Sequence, residues 1–146
     1  MPDIRERLTL PGTRGRLLHD APLGPRAWFR AGGNAEGLFV PEDDGDLATA
    51  LRMVPSDVPV TVLGACSNVI IRDGGIEGLV IRLARGFSSI AVEGDAIVAG
   101  STVMSSAGID GLSFLAGIPG SIGGAVVMNA GAYGSDTAAV LEWAEI

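Results

Sequence analysis

The sequence predicts an α+β domain with mixed sheets. Two observations lead to this prediction: a strand–helix–strand succession in the first half, and three short strands in quick succession after it. A length of 146 residues and a mean hydropathy of +0.40 fit one domain with an apolar core. Residues 1–24 contain Pro11 and Pro22 among glycines and are interpreted as an irregular leader. Residues 25–146 are assigned to the folded domain.

The first elements form a predicted βαβ unit. "EGLFVP" (Glu36–Pro41) is typical of a short strand that a proline ends. "DDGDLATALRMV" (Asp43–Val54) places its apolar side chains on one helical face, with an aspartate at the N-cap position. "VPVTVL" (Val58–Leu63) is a compact β-branched run. The two strands of such a unit run parallel.

Three further strands follow this unit at short spacing, over Gly78–Leu83, Ser88–Gly94 and Asp95–Gly100. The pair Gly94–Asp95 predicts a tight hairpin turn between the last two. Because these strands follow one another without intervening helices, the domain is not expected to be a regular doubly wound sheet.

Composition excludes several classes of function. The net charge is −7 and all ten basic residues are arginine, so no basic stripe for nucleic acid is predicted. No apolar stretch reaches the about 18 residues that span a bilayer, and the amino terminus has no secretory pattern. One cysteine and one histidine leave no intrachain disulfide and no metal site. A cytoplasmic protein without nucleic-acid or membrane partners is expected.

The first candidate motif is "LGACSN" (Leu63–Asn68), at the carboxyl end of a predicted parallel strand. Open α/β sheets bind ligands at that end. Gly64 allows a sharp turn whose successive amides could bind an anion, and Ser67 and Asn68 add polar side chains. The motif lacks the lysine of a Walker loop and the glycine spacing of a dinucleotide fingerprint. A simple turn at the strand end is the alternative.

The second motif is "AGIPGSIGGAVVMNAGAYG" (Ala116–Gly134), with six glycines among nineteen residues. Glycines let backbone amides approach a flat or anionic ligand closely, although a turn-rich connector would show the same composition. Ser121 is a candidate cap for a short helix over Ile122–Met128. Asn129 must find polar partners, either on the backbone or on a heteroaromatic edge.

Together these segments resemble a known family. "LGACSNVIIRDGG" resembles the pyrophosphate loop of UDP-N-acetylenolpyruvoylglucosamine reductases, and Ala116–Gly134 resembles their flavin-cradling segment. "WFRAGGNAE" (Trp28–Glu36) is similar to the opening motif of that family, and "DGLSFLAGIPG" (Asp110–Gly120) to its lead-in. The resemblance extends in the same order over residues 20–146. It implies a p-cresol-methylhydroxylase-type FAD-binding domain, with two α/β subdomains and non-covalent FAD between them.

The resemblance also implies a reaction. NADPH reduces the FAD, which reduces the enolpyruvyl ether of a UDP-sugar, UDP-N-acetylglucosamine enolpyruvate, to UDP-N-acetylmuramate in cytoplasmic peptidoglycan synthesis. Another flavin oxidoreductase of the same fold and a non-catalytic FAD-binding module remain alternatives. The oligomeric state stays open.

Site residues follow by matching positions. The FAD diphosphate is expected at Gly64, Ala65, Cys66, Ser67 and Asn68. The flavin ring and ribityl chain are expected at Gly117, Ile118, Pro119, Gly120, Ser121, Gly123, Gly124 and Ala125. Candidates on the substrate side are Arg30, Asn129, Gly131 and Tyr133.

The sequence departs from the family at three places. Cys66 stands where the family usually has glycine, and a thiol among amides facing a phosphate could have a lowered pKa. Only "STVMSSA" separates Gly100 from Gly108, where the family has an amphipathic helix, so residues are missing there or the element has been lost. The family's catalytic arginine, serine and acidic residue match nothing in this chain, which is expected to be inactive alone.

Overall fold

The computed structural model describes residues 4–104 and 111–145. They belong to two compact units, Met1–Phe87 and Ser88–Ile146. Helices and both parallel and antiparallel strand pairs are present, so the prediction of an α+β fold with mixed sheets is confirmed.

The first unit contains a four-stranded sheet with two helices. In chain order its elements are α1 (Ile4–Arg7), β1 (Arg16–Pro22), β2 (Asn34–Val40), α2 (Asp44–Met53), β3 (Val60–Leu63) and β4 (Ile76–Arg82). The strand order is β1-β2-β4-β3. β4 pairs in parallel with both β2 and β3, and β1 pairs antiparallel with β2. The predicted βαβ unit is therefore confirmed, with β4 inserted between its two strands.

The irregular leader predicted for residues 1–24 is wrong. Residues 16–22 form the edge strand β1, and Leu8 and Leu23 are fully buried. The prolines do not interrupt this strand, because Pro22 is its last residue and Pro11 lies in the turn before it. Proline is tolerated at the end of an edge strand, where its missing N–H breaks no ladder.

The start of α2 is fixed by two aspartates. The Asp43 side chain caps the helix by accepting a hydrogen bond from the Asp46 amide at 2.9 Å. The buried Asp46 carboxylate accepts from the amides of Arg14 at 2.7 Å, Gly15 at 2.8 Å and Glu42 at 3.0 Å. Asp46 thereby ties the segment before β1 to the first turn of α2.

The sheet of the first unit has an apolar cluster on each face, since successive side chains of a strand alternate between faces. Leu79 and Ile81 of β4 pack with Ala50 of α2. Val80 lies in the opposite cluster, which also contains Leu63, Leu38, Cys66 and Ile71. The loop after β3 therefore packs on the face opposite α2.

The second unit begins with the hairpin of β5 (Ile90–Glu93) and β6 (Ala96–Ala99). Glu93 pairs with Ala96, so Gly94 and Asp95 form a two-residue turn, and Gly94 has φ +62°. The predicted hairpin is confirmed. Glycine suits the first turn position because it adopts positive φ without steric cost.

The rest of the second unit contains α3 (Ile122–Met128) and a short antiparallel pair, β7 (Gly131–Ala132) and β8 (Ser135–Asp136). Ala125 of α3 packs against Phe114 and Leu115 in its core. The question about residues missing between Gly100 and Gly108 falls largely on residues 105–110, outside the described ranges. None of the helices described is long and apolar enough to cross a membrane.

Candidate functional site

The loop Gly64–Asn68 follows directly after β3 at the carboxyl edge of the first sheet. Leu63, the last residue of β3, pairs with Arg82, the last residue of β4. The loop therefore begins where two neighbouring parallel strands end. Open α/β sheets place their ligands at this edge.

The loop offers a run of free backbone donors. The amides of Ala65, Cys66, Ser67 and Asn68 donate to no acceptor within residues 4–104 and 111–145. Cys66 has φ +55°, and a left-handed residue within such a run lets successive amides form a concavity for an anion. This donor set fits the oxygens of a diphosphate.

Cys66 has a conformational role in this loop. Its carbonyl accepts a hydrogen bond from the Trp28 amide at 3.1 Å, and its thiol donates to the Gly64 carbonyl at 3.5 Å. The residue as a whole is 4% exposed. Burial raises the pKa of the Cys66 thiol, and the positive charge of Arg82 opposes this effect only partly. The lowered pKa considered from the sequence is therefore wrong. The positive φ of Cys66 is a conformation that glycine adopts without steric cost.

The opening motif packs against the turn that follows the loop. The Gly33 amide donates to the Arg72 carbonyl at 3.0 Å, and a Cβ on Gly33 would overlap the carbonyl of Asp73. Gly32 has φ +125°, and a Cβ there would lie 2.7 Å from Ile71. These two glycines let two backbone segments meet beside the loop Gly64–Asn68. Arg30, an exposed residue with φ +52°, lies in the turn just before them.

In the second unit, the predicted cap of α3 is confirmed. The Ser121 hydroxyl accepts a hydrogen bond from the Gly124 amide at 3.4 Å. The Gly123 amide donates to the Ser101 carbonyl at 2.9 Å, and a Cβ on Gly123 would lie 2.9 Å from the Cβ of Ser101. Gly123 is thus required by packing within the protein. Its assignment to ligand approach alone, made from the sequence, is incomplete.

The segment Gly117–Ala125 is only partly accessible. Gly117 and Pro119 are exposed, whereas Ser121 and Ala125 are buried. A Cβ on Gly117 would meet only the Tyr133 hydroxyl, at 3.8 Å. The remaining positions, Ile118, Gly120, Gly123 and Gly124, are half-buried. A ligand can therefore reach the backbone at the start of this segment more readily than in its core-facing part.

The candidates after α3 lie in a tight turn. Asn129 ends the helix with φ +45°, accepts a hydrogen bond from the Ala138 amide at 2.8 Å and donates to Asp136 at 3.3 Å. The sequence left open whether Asn129 bonds to the backbone or to a heteroaromatic edge, and it bonds to the backbone amide of Ala138. A Cβ on Gly131 would lie 2.7 Å from the Asp136 Cβ, and Tyr133, with φ +54°, is 91% exposed.

An open groove of about 510 Å³ lies along this turn, lined by Asn129, Gly131, Ala132, Gly134, Ser135, Asp136 and Ala139. Asp136 was not a sequence candidate, although its carboxylate accepts hydrogen bonds from both Asn129 and the Ala139 amide. Its position one residue before the turn Thr137–Ala139, typical of a helix cap, is the signal that could have identified it.

Comparison with known proteins gives consistent results. The profile of the family described as "FAD binding domain" matches residues 35–146. UDP-N-acetylenolpyruvoylglucosamine reductase of Gluconobacter oxydans is 65% identical, with 92% of this chain and 47% of the relative covered. The protein of the same name from Acidiphilium cryptum is 53% identical, with 96% and 48% covered. The chain thus spans about half the length of these curated relatives.

A solved structure agrees with these relatives. The crystal structure of UDP-N-acetylenolpyruvylglucosamine reductase from Thermus caldophilus matches with a TM-score of 0.67 and 31% identity, covering 84% of this chain and 45% of that one. The resemblance drawn from the two loop motifs is confirmed, as are the FAD-binding fold and the cofactor FAD. This chain belongs to the FAD-binding domain family, within the family of UDP-N-acetylenolpyruvoylglucosamine reductases.

Proposed function

We propose that this chain supplies the FAD-binding part of an NADPH-dependent UDP-N-acetylenolpyruvoylglucosamine reductase. The observation that carries the proposal is the run of free amides from Ala65 to Asn68 at the carboxyl edge of the sheet. It supports a diphosphate-binding role for this loop, and FAD, unlike FMN, contains a diphosphate. The names of the relatives supply the reaction.

Two groups of residues bind different parts of FAD. Gly64, Ala65, Cys66, Ser67 and Asn68 hold the diphosphate through the loop amides and the two polar side chains. Gly117, Ile118, Pro119, Gly120, Ser121, Gly123, Gly124 and Ala125 form the segment for the flavin ring and ribityl chain, with contact at its exposed backbone. When bound, FAD supplies hydride transfer from NADPH to the enolpyruvyl group. The protein carries a net charge of −7, so these local donors must attract the anion.

The FAD is held without a covalent bond. Cys66, the chain's single cysteine, lies in the diphosphate loop rather than in the flavin segment. Its thiol is buried and has a raised pKa, which leaves little of the nucleophilic thiolate. Both properties oppose attachment of a flavin to this sulfur.

On the substrate side we place Arg30, Asn129, Gly131 and Tyr133. Asn129 and Gly131 shape the turn after α3, since the Asn129 amide is already bound within that turn. Arg30 and Tyr133 have exposed side chains that can contact a ligand. The substrate is UDP-N-acetylglucosamine enolpyruvate and the product UDP-N-acetylmuramate, formed in the cytoplasm for peptidoglycan. Because the family's catalytic residues match nothing in this chain, turnover by the chain alone is not expected.

A chimera tests this proposal. The matching half of the Gluconobacter oxydans relative is replaced by this chain, and oxidation of NADPH is followed with and without UDP-N-acetylglucosamine enolpyruvate. Substrate-dependent oxidation near the rate of the unaltered relative is expected. The unaltered relative and this chain alone are the two controls.

Two results would contradict the proposal in different ways. A folded chimera that binds FAD without turnover would favour a non-catalytic FAD-binding module. A chimera that oxidises NADPH equally with and without this substrate would favour another flavin oxidoreductase.

A further inference from the structure

Arg82 lies on the same face of the sheet as the diphosphate loop. It pairs with Leu63 in the parallel ladder, and paired residues of parallel strands point to the same face. Leu63 packs in the cluster that contains Cys66. Val80, two positions before Arg82 on β4, belongs to the same cluster. The register between β3 and β4 and the alternation of side chains along β4 therefore both place the Arg82 side chain on the face that carries this cluster.

The guanidinium of Arg82 has no internal partner in the part of the chain that the structure describes. Neither a carboxylate within salt-bridge distance nor a hydrogen-bond acceptor is present for it there. Arg7 and Arg14, by contrast, form ion pairs with Asp57 and Asp43. This chain has 17 acidic and 10 basic residues. A half-buried arginine that nevertheless has no carboxylate partner indicates a cation that is available to bind an anionic ligand.

The charge of Arg82 reaches the middle of the loop. Burial raises the pKa of the Cys66 thiol, and the positive charge of Arg82 is the effect that opposes it. An anion seated on the amides around Cys66 would experience the same field. Because a guanidinium also presents several donors in a planar fork, it suits phosphate oxygens.

We propose that Arg82 is a binding residue for a diphosphate seated on the amides of Ala65–Asn68, the diphosphate being that of FAD. This inference rests on the proposed function for the identity of the ligand. The loop amides provide the shape of the site, and the Arg82 guanidinium provides its positive charge.

The test compares three variants of the full chain. Arg82→Gln removes the charge, Arg82→Lys keeps the charge without the fork, and Arg52→Gln is the control. Arg52 is an exposed residue in the last turn of α2, a helix that packs on the opposite face of the sheet. Arg52→Gln changes the net charge by the same amount as Arg82→Gln.

Dissociation constants for FAD are measured at low and moderate salt. Inorganic pyrophosphate is titrated while the amide NMR signals of residues 65–68 are followed.

Arg82→Gln is expected to raise the dissociation constant for FAD about tenfold or more and to flatten its dependence on salt. It should also weaken the shifts that pyrophosphate causes in residues 65–68. Arg82→Lys should recover part of the affinity and most of the salt dependence, whereas Arg52→Gln should match the unaltered chain.

If Arg82→Gln binds FAD and pyrophosphate as tightly as Arg52→Gln and the unaltered chain do, the proposed role of Arg82 is overturned. FAD binding by the chain would stand. Pyrophosphate binding that depends on Arg82, in a chain that does not bind FAD, would support the diphosphate site and contradict the proposed function instead.

Discussion

Gly123 and Ser101 are in direct backbone contact. The Gly123 amide donates to the Ser101 carbonyl at 2.9 Å, and a Cβ on Gly123 would lie 2.9 Å from the Cβ of Ser101. This contact fixes the first turn of α3 on the segment that follows β6. The next residue, Gly124, differs, because a Cβ there would meet only the Ser121 hydroxyl, at 3.5 Å. Two adjacent glycines of one motif are therefore under different constraints.

Gly123→Val is expected to destabilise the chain by about 1–3 kcal/mol, because the branched side chain overlaps Ser101, and to reduce FAD binding. Gly124→Ala is the matched control. It should leave the stability unchanged or raise it by up to about 1 kcal/mol, because alanine favours helix over glycine. Urea unfolding and a flavin titration of both variants check this. Equal stabilities would show that the contact with Ser101 does not constrain the helix.

Cys66→Gly is expected to be tolerated, whereas Cys66→Val is not. A side chain at φ +55° costs about 1–2 kcal/mol relative to glycine, which offsets the small buried side chain that is lost. Valine is β-branched and disfavours this conformation further. The free energy of unfolding and the FAD affinity should stay near their original values for glycine and fall for valine. A Cys66→Val protein as stable as Cys66→Gly would exclude strain at this position.

Asp46→Asn is expected to destabilise the chain near neutral pH by about 1–3 kcal/mol, because one amide oxygen cannot serve three backbone donors. Burial raises the pKa of the Asp46 carboxyl, but the amides of Glu42, Arg14 and Gly15 outweigh this, so the pKa lies below its usual value. The stabilisation that the ionised Asp46 carboxylate provides is complete above the pKa of aspartate in the unfolded chain, about 3.9. It is lost as the pH falls through the lower pKa of Asp46 in the folded chain.

Melting temperatures between pH 7 and pH 2 check the role of Asp46. The stability of Asp46→Asn should fall less with acid than that of the unaltered chain, so the two curves converge at low pH. Asp44→Asn, at an exposed residue of the same helical turn, is the control. Parallel curves for Asp46→Asn and the unaltered chain would contradict the assigned role.

The flavin released from this chain by heat is expected to be FAD. The amides from Ala65 to Asn68 have no acceptor among the described residues, and the two phosphates of FAD can accept from more of them than a monophosphate can. Mass spectrometry of the released material identifies the species. FMN as the main component would contradict the assignment of the loop.

Local patterns predicted the elements of this fold better than their arrangement. The apolar spacing and the aspartate cap identified α2, and the Gly94–Asp95 pair identified the hairpin. The order of the sheet could not be read in the same way, because β4 pairs with strands that are distant in sequence. The strand β1 was missed because its prolines were interpreted as signs of irregular structure, although Pro22 is its last residue and Pro11 lies in a turn before it.

In the candidate site, too, local sequence patterns identified some residues, while others depended on contacts between distant segments. The strand-end position, the turn at Gly64 and the polar side chains of Ser67 and Asn68 indicated the loop Gly64–Asn68. The reason for Gly123 lies in its contact with Ser101, which no local pattern reveals. Arg82 needed the strand register, since nothing in its neighbouring residues distinguishes it from other arginines.

The sheet order has a consequence for how the first unit assembles during synthesis. β4 is the last of the four strands to leave the ribosome, yet it lies between β2 and β3. Until Arg82 has emerged, β2 and β3 each present an unpaired edge, which can join another nascent chain. The βαβ unit must therefore stay open for the final strand, and a chain interrupted before Ile76 would be prone to aggregate rather than to persist as a smaller domain.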